Sequence, residues 1–284
     1  MVWSISTEPA EFAAAAGPFL RSEPVRHTVE LSIVGTLLEH GAGAYGPADL
    51  VSGWWQPSGS PVGATFLQTP PYPLLLSGAP DEAASGLADL LAGAGRMLPG
   101  VNSVQGTAGR FAARWAQRTG ASAAVHQRTR LHRLATLVPP RPPPPGAART
   151  ATTADRGLLL DWMRRFHQEI GMLAEGDPAP RLDEALSWGG MAVWEDGGEV
   201  VSMASRYQEV AGTTRVSFVY TPPALRRRGY AAAVTAAVTA AALDAGVAEV
   251  LLFTDLANPT SNGIYQRLGY RPVEDRVVLA FAAS

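Results

Sequence analysis

The sequence predicts a mixed α/β (α+β) chain built as two similar halves, each a mixed, mostly antiparallel sheet flanked by helices. Three observations predict it. Apolar residues make up 46% of the 284 residues and charged residues 17%, enough to bury sizeable cores and too apolar for a disordered chain. A proline-rich stretch interrupts the chain near its middle. The same order of helical and strand-like segments stands on both sides of it.

The first half reads as three strands, "LVSGWWQP", "SPVGATFLQT" and "YPLLLSG", rich in β-branched, aromatic and leucine residues between turn residues. A helix, "DEAASGLADLLAGAGRM", follows, then a strand "VNSVQG", a helix "AGRFAARWAQRTG" and a long strand "SAAVHQRTRLHRL". The boundary is "VPPRPPPPGAART", residues 138–150. Proline lacks an N–H and holds the chain extended, so this segment is expected to be a semi-rigid linker. It separates a domain at 1–137 from one at 151–284.

The second half opens with a helix in which Leu159, Trp162, Met163, Phe166 and Ile170 recur at helical spacing. Three strands lie within "GMAVWEDGGEVVSMASRYQEVAGTTRVSFVYT", with tight turns at Glu195-Asp196-Gly197-Gly198 and Ala211-Gly212-Thr213. The helix "YAAAVTAAVTAAALDAG" is expected to stop at Gly246. A buried-type strand "EVLLFTD" comes next. A helix then starts with Asn258 as its cap and Pro259 in its first position, and ends at Gly269. "EDRVVLAF" is the last strand.

Composition excludes several function classes. The chain has no Cys, which removes disulfides, thiolate metal sites and cysteine nucleophiles. The net charge of −2 provides no basic field for nucleic acid or a membrane surface. The five histidines show no paired ligand spacing, so no metal is expected. The start of the chain lacks a basic segment followed by an apolar run, and no stretch reaches the ~18 apolar residues of a membrane span. A cytoplasmic setting is expected.

The segment "VYTPPALRRRGYAAAV", residues 219–234, places three arginines and a glycine between a strand and a helix. A helix start leaves its first N–H groups unpaired and carries partial positive charge. Cations are therefore disfavoured there unless an anion is present. Gly229 permits close approach of the backbone, Ala231 keeps the first turn small, and Arg227 and Arg228 add charge-assisted hydrogen bonds. The arrangement reads as a pyrophosphate cradle.

The pattern Arg226-x-x-Gly229-x-Ala231 between strand and helix resembles the acyl-CoA pyrophosphate loop of the GNAT N-acetyltransferase superfamily. "TDLANPTSNGIYQRLGYRPV" is similar to the same family's second motif, in which an Asn and a Tyr precede a Leu-Gly-aromatic ending. The match covers roughly residues 150–284, and the element order of the first half resembles a second copy. The resemblance implies acetyl-CoA as cosubstrate. The main chain of Val219, Tyr220 and Thr221 would pair with the pantetheine arm. The segment from Arg226 through Arg227, Arg228, Gly229 and Tyr230 to Ala231 would hold the pyrophosphate. Asn258 and Ser261 would lie near the pantetheine, and Tyr265 would protonate the departing thiolate.

The first half lacks this loop. Asp81 and Glu82 stand at the helix start where the arginines would be, and acids there repel a pyrophosphate. A degenerate copy without cofactor binding is expected. Glu169, Glu209 and Asp255 are the candidate bases, and nothing in their spacing selects one. The reading is an N-acyltransferase that moves an acetyl group directly to a primary amine, as a monomer or homodimer. The alternative is a CoA-binding regulatory or scaffold protein without turnover.

Overall fold

The computed structural model describes residues 2–46, 50–171, 173 and 176–282. The chain divides into two compact units, one of residues 1–130, 173–176 and 274–284, the other of residues 131–172 and 177–273.

Unit 1 begins with strand β1 (Val2–Ser6) and helices α1 (Pro9–Ser22) and α2 (Thr28–His40). Strands β2 (Val51–Gln56), β3 (Ala64–Gln68) and β4 (Leu74–Leu76) follow, then α3 (Asp81–Gly93), β5 (Gly100–Val104), α4 (Gln105–Thr119) and β6 (Ser122–Leu134). The second repeat of the order is β7 (Ala147–Thr150), α5 (Arg156–Ile170), α6 (Ala179–Trp188), β8 (Met191–Asp196), β9 (Glu199–Arg206) and β10 (Thr213–Tyr220). It closes with α7 (Tyr230–Asp244), β11 (Glu249–Asp255), α8 (Pro259–Arg267) and β12 (Tyr270–Ala282). Ten elements thus recur in one order.

The pairing also recurs. β1 to β4 are antiparallel neighbours in sequence, and β4 lies parallel to β5 after the crossover through α3. In unit 2, β7 to β10 are antiparallel neighbours, and β10 lies parallel to β11 after the crossover through α7. A two-residue turn makes the β8–β9 link, and another, closed by the Val210↔Thr213 bridge, lies at the end of the longer link from β9 to β10. Gly197 and Gly198 both have positive φ, at 61° and 86°, as do Ala211 and Gly212, at 51° and 77°. That is the geometry whose twist suits adjacent antiparallel strands.

The last strand of each repeat passes into the other unit. Residues 274–282 of β12 belong to unit 1, where Arg276–Ala280 run antiparallel to β5. Phe281 stacks there on Phe111 and Trp115, with ring centroids 6.4 and 5.9 Å away. Reciprocally, 131–134 at the end of β6 belong to unit 2, where Arg133 pairs with Glu249 of β11 at 2.6 Å. Residues 147–150, within the expected linker, form β7. The helices α1, α2 and α6 and the strand β1 had no strong sequence signal.

Each unit has its own core. In unit 1, Phe66, Leu74, Leu76, Leu87, Leu91 and Phe111 are fully enclosed between the sheet and helices α3 and α4. In unit 2, the two sheet faces bury separate clusters. Val216, Val234, Val250, Leu252 and Tyr270 pack with α7, and Leu159, Met163, Met203, Phe218 and Tyr220 pack with α5. Near the start of unit 2, Asp155 caps its own turn by accepting from the Thr152 N–H (2.8 Å). It also takes two hydrogen bonds from Arg149 (2.8 and 2.9 Å). The Arg149 guanidinium holds this carboxyl well below the ordinary 3.8, at about 2.

Two outcomes are expected. A Cβ on Gly100 would overlap the Leu279 carbonyl oxygen, so Gly100→Ala should force β12 away from β5. It should cost about 1–3 kcal/mol in denaturant unfolding, as overpacking typically does. Asp155 binds its proton more tightly in the unfolded chain than in the folded one. The stability it contributes is therefore complete above pH 3.8 and is lost as pH falls toward about 2. Asp155→Asn should flatten the acid limb of the stability curve in that window.

Candidate functional site

The site lies where β10 meets β11 in unit 2. The parallel register runs from Thr213↔Glu249 to Val216↔Leu252 and stops there, although β10 continues to Tyr220 and β11 to Asp255. On its other side β10 shifts register against β9. Ser217 faces Ser205, but Tyr220 faces Met203, so three steps on one strand match two on the other. The extra residue makes a β-bulge. Phe218 sits in it with φ +49°, a left-handed conformation that a bulky side chain adopts only when its surroundings enforce it. The enforcing contacts are on α5, where Phe166 and His167 lie 5.4 and 5.3 Å from the Phe218 ring. Beyond the bulge, Ser202 on β9 donates to the Tyr220 carbonyl (3.0 Å) and meets the Thr221 hydroxyl at 2.8 Å.

After Thr221, the prolines end the strand. A short 3₁₀ turn spans Pro223–Leu225, Arg227 has φ +64°, and Gly229 caps α7 with φ +88°. Among the described residues, no group accepts a hydrogen bond from the main-chain N–H of Arg227, Arg228, Gly229, Tyr230 or Ala231. These are the donors that a helix start leaves unpaired, and the macrodipole adds positive potential to them. Arg227, Arg228 and Gly229 are exposed.

The side chains divide by task. Arg226 turns away from the helix start. Its Nε donates to the Thr221 carbonyl (2.9 Å), and one of its terminal nitrogens donates to both Glu169 oxygens (2.6 and 2.8 Å). It ties the loop to α5 as well as to the end of β10. The Tyr230 hydroxyl donates to Asp196 (2.5 Å), and that bond raises its phenol. Arg228 reaches the Ala224 carbonyl at 3.4 Å. Of the six residues in the segment, the five from 227 onward offer their main chain while Arg226 acts as a brace.

On α8, Asn258 is the helix cap, accepting from the Ser261 N–H at 3.0 Å. Asn262 fixes α8 to the end of β11. Its amide donates to the Asp255 and Asn258 carbonyls (2.9 and 2.8 Å) and accepts from the Thr254 hydroxyl (2.6 Å). Tyr265 is buried in one apolar cluster with Val216 and Leu252, the last pair of the parallel register, and Val219 packs against that cluster. It meets the Tyr270 ring edge-on at 6.2 Å. Among the described residues, its hydroxyl has no hydrogen-bond partner. Burial pushes this phenol up, so it holds its proton throughout the neutral range.

The three candidate bases are engaged differently. Glu169 is held by Arg226 and also receives a long contact from the Tyr220 hydroxyl (3.4 Å). Asp255 accepts from the Ala257 N–H (2.7 Å) in the turn before α8. Glu209 is exposed beyond the end of β9. Sequence reasoning missed Phe218 and its neighbour His167. A bulge leaves no mark in a period-2 pattern, but His167 lies next to Phe166 on the helix face that the apolar spacing had already defined.

Residues 158–270 match the model of the acetyltransferase (GNAT) family. A GCN5-related N-acetyltransferase from Sphaerobacter thermophilus superposes with TM-score 0.59 at 17% identity, over 98% of this chain and 94% of that one. A counterpart from Kribbella flavida gives TM-score 0.56 at 19% identity, over 78% and 87%. A tandem GNAT protein from the clavulanic acid biosynthesis pathway gives 0.55 at 13% identity, over 99% and 98%. No curated protein sequence matches the chain. The second half thus matches the GNAT family model over residues 158–270, and the whole chain shares the fold of a tandem GNAT protein.

The strain at Phe218 is testable. In an ordinary strand Ala is more stable than Gly. At φ +49° the order should invert, with Phe218→Gly more stable than Phe218→Ala by about 0.5–1 kcal/mol in denaturant unfolding. Ala more stable than Gly would contradict the bulge.

Proposed function

We propose that the protein is an acyl-CoA-dependent N-acyltransferase that moves an acetyl group from acetyl-CoA to a primary amine by direct transfer. One observation carries the reading. The open edge of β10 runs straight into a helix start whose N–H groups from Arg227 to Ala231 have no acceptor among the described residues.

Each part answers one need of the cosubstrate. The main chain of Val219, Tyr220 and Thr221 pairs with the amide groups of the pantetheine arm as a missing strand would. The donors from Arg227 to Ala231 bind the pyrophosphate, and Arg227 and Arg228 add charge. Asn258 and Ser261 flank the arm from the start of α8. A main-chain N–H at the Phe218 bulge can polarise the thioester carbonyl where negative charge develops.

The amine must reach the carbonyl in its neutral form. Its nitrogen forms the new C–N bond and loses a proton to a base. The C–S bond then breaks, and a proton must reach the sulfur. Tyr265 supplies a hydrogen bond to that sulfur. Its phenol is protonated, and no other described group competes for it. Positioned proton donors of this kind typically contribute 10²–10⁴-fold.

The test follows free thiol released from acetyl-CoA in the presence of a panel of amines. Tyr265→Phe should lower turnover by about 10²–10⁴-fold with CoA binding retained. Gly229→Glu should abolish CoA binding while the protein still melts cooperatively, because it sets a carboxylate among the donors meant for phosphate. CoA binding without thiol release from any amine would instead establish a regulatory or scaffold role.

A further inference from the structure

The bulge in β10 exchanges the two faces of the strand. Val216 packs into the cluster under α7, and by the period-2 alternation of a strand Phe218 should follow it there. The extra residue turns Phe218 to the α5 side instead, together with Tyr220, while Val219 packs on the α7 side. The site therefore has two chemically different faces. Tyr265 and Tyr230 belong to the α7 face. His167 belongs to the α5 face, its ring 5.3 Å from the Phe218 ring and tilted by 46°. Met163, Phe166 and His167 recur at helical spacing on one stripe of α5, Met163 buried and the other two partly so.

Carbonyl chemistry needs both faces. In the acyltransfer reading a main-chain N–H at the bulge polarises the thioester carbonyl, and such a donor lies near the plane of the carbonyl it serves. That lays the carbonyl along the sheet. An amine attacks the carbon from above or below the carbonyl plane, which here means from one face of the sheet. The α7 face is occupied by Tyr265, Leu252 and Tyr270, so the acceptor comes from the α5 face.

The charged groups of that face are already engaged. Glu169 is held by Arg226 at 2.6 Å. Arg165 pairs with Asp161 at 2.8 Å, and Arg164 lies 3.8 Å from Asp177. Burial raises the Tyr220 phenol, which keeps its proton. An imidazole is the side chain suited to taking a proton near neutrality, with an ordinary pKa of about 6.5.

Resting on the acyltransfer reading, we propose that His167 is the general base, which the acceptor amine meets between α5 and the Phe218 bulge. As the amine nitrogen forms the C–N bond, an imidazole nitrogen takes one of its protons. The electron pair of the C–S bond leaves with the sulfur, which takes the proton of the Tyr265 hydroxyl. The imidazolium then returns its proton through water to the Tyr265 phenolate, and both groups end as they began. Acid and base stand on opposite faces of β10, so neither neutralises the other directly.

The test follows thiol release from acetyl-CoA across the neutral range, with amines of the panel that the wild type turns over. Wild-type kcat/KM should rise with pH through a limb that keeps its position for two amines of different basicity. His167→Gln should lower kcat by about 10²–10⁴-fold, lose that limb and retain CoA binding. In His167→Ala, added imidazole and its methylated forms should restore turnover in proportion to their basicity, and restore none in Tyr265→Phe. Rescue that ignores basicity would make His167 a packing residue and overturn the base. Wild-type turnover in His167→Gln, or an unchanged limb, would overturn it and leave the CoA reading standing. The wild-type profile decides without any variant, because a limb that shifts with the amine alone would also overturn the base. CoA binding without thiol release from any amine would overturn it by removing the acyltransfer reading on which it rests.

Discussion

The end of main-chain pairing between β10 and β11 after Val216 and Leu252 is the constraint on which the rest of the site depends. A parallel pair that separates exposes N–H and C=O groups that would otherwise be satisfied within the sheet, and buried main-chain groups cannot be left unpaired without cost. The bulge at Phe218 changes the course of β10 on its other edge, and Ser202 supports the displaced segment. The strand is held open by packing. Phe166 and His167 press on Phe218 from one face, while Tyr265 and Tyr230 fill the α7 face.

The helix after it extends the same logic. A strand that ends at two prolines, a residue at φ +64° and a glycine at φ +88° bring the chain to the start of α7 with its first donors aimed outward. Arg226 keeps that loop in register with β10 and α5 through Thr221 and Glu169. The triple arginine is therefore two devices. Arg226 is a brace, and Arg227 and Arg228 remain at the surface beside the donors. Exposed ion pairs contribute little to stability, so the value of the Arg226–Glu169 pair lies in orientation.

Local chemistry was legible in the sequence, and long-range pairing was not. Gly197-Gly198, Ala211-Gly212, Gly246, Asn258 with Pro259, and Gly269 each mark a turn or cap whose dihedral demands are written in the residue itself. The repeated order of elements was visible from β2 onward. The helices α1 and α6 were not, because alanine and proline blur their periodicity, and in α2 the buried face mixes Thr28 and Glu30 with Leu31, Val34 and Leu37. The passage of β12 beside β5 depends on which edge is free in the folded unit, and no local pattern encodes that. Phe218 illustrates the limit most sharply. Its left-handed backbone is imposed by neighbours fifty residues away in the chain, and a strand pattern reads straight through it. The packing of Arg181 and Arg215 on the Tyr207 ring likewise joins a helix to a strand.

Backbone amide hydrogen exchange with and without acetyl-CoA tests the account most directly. The open edge and the free donors predict slowed exchange confined to two stretches, Ser217 to Thr221 and Arg227 to Ala231, with Asp81 to Ala84 in unit 1 unchanged. Protection absent from both stretches, or appearing at the start of α3 instead, would contradict the claim that this strand edge and helix start form the cosubstrate's bed.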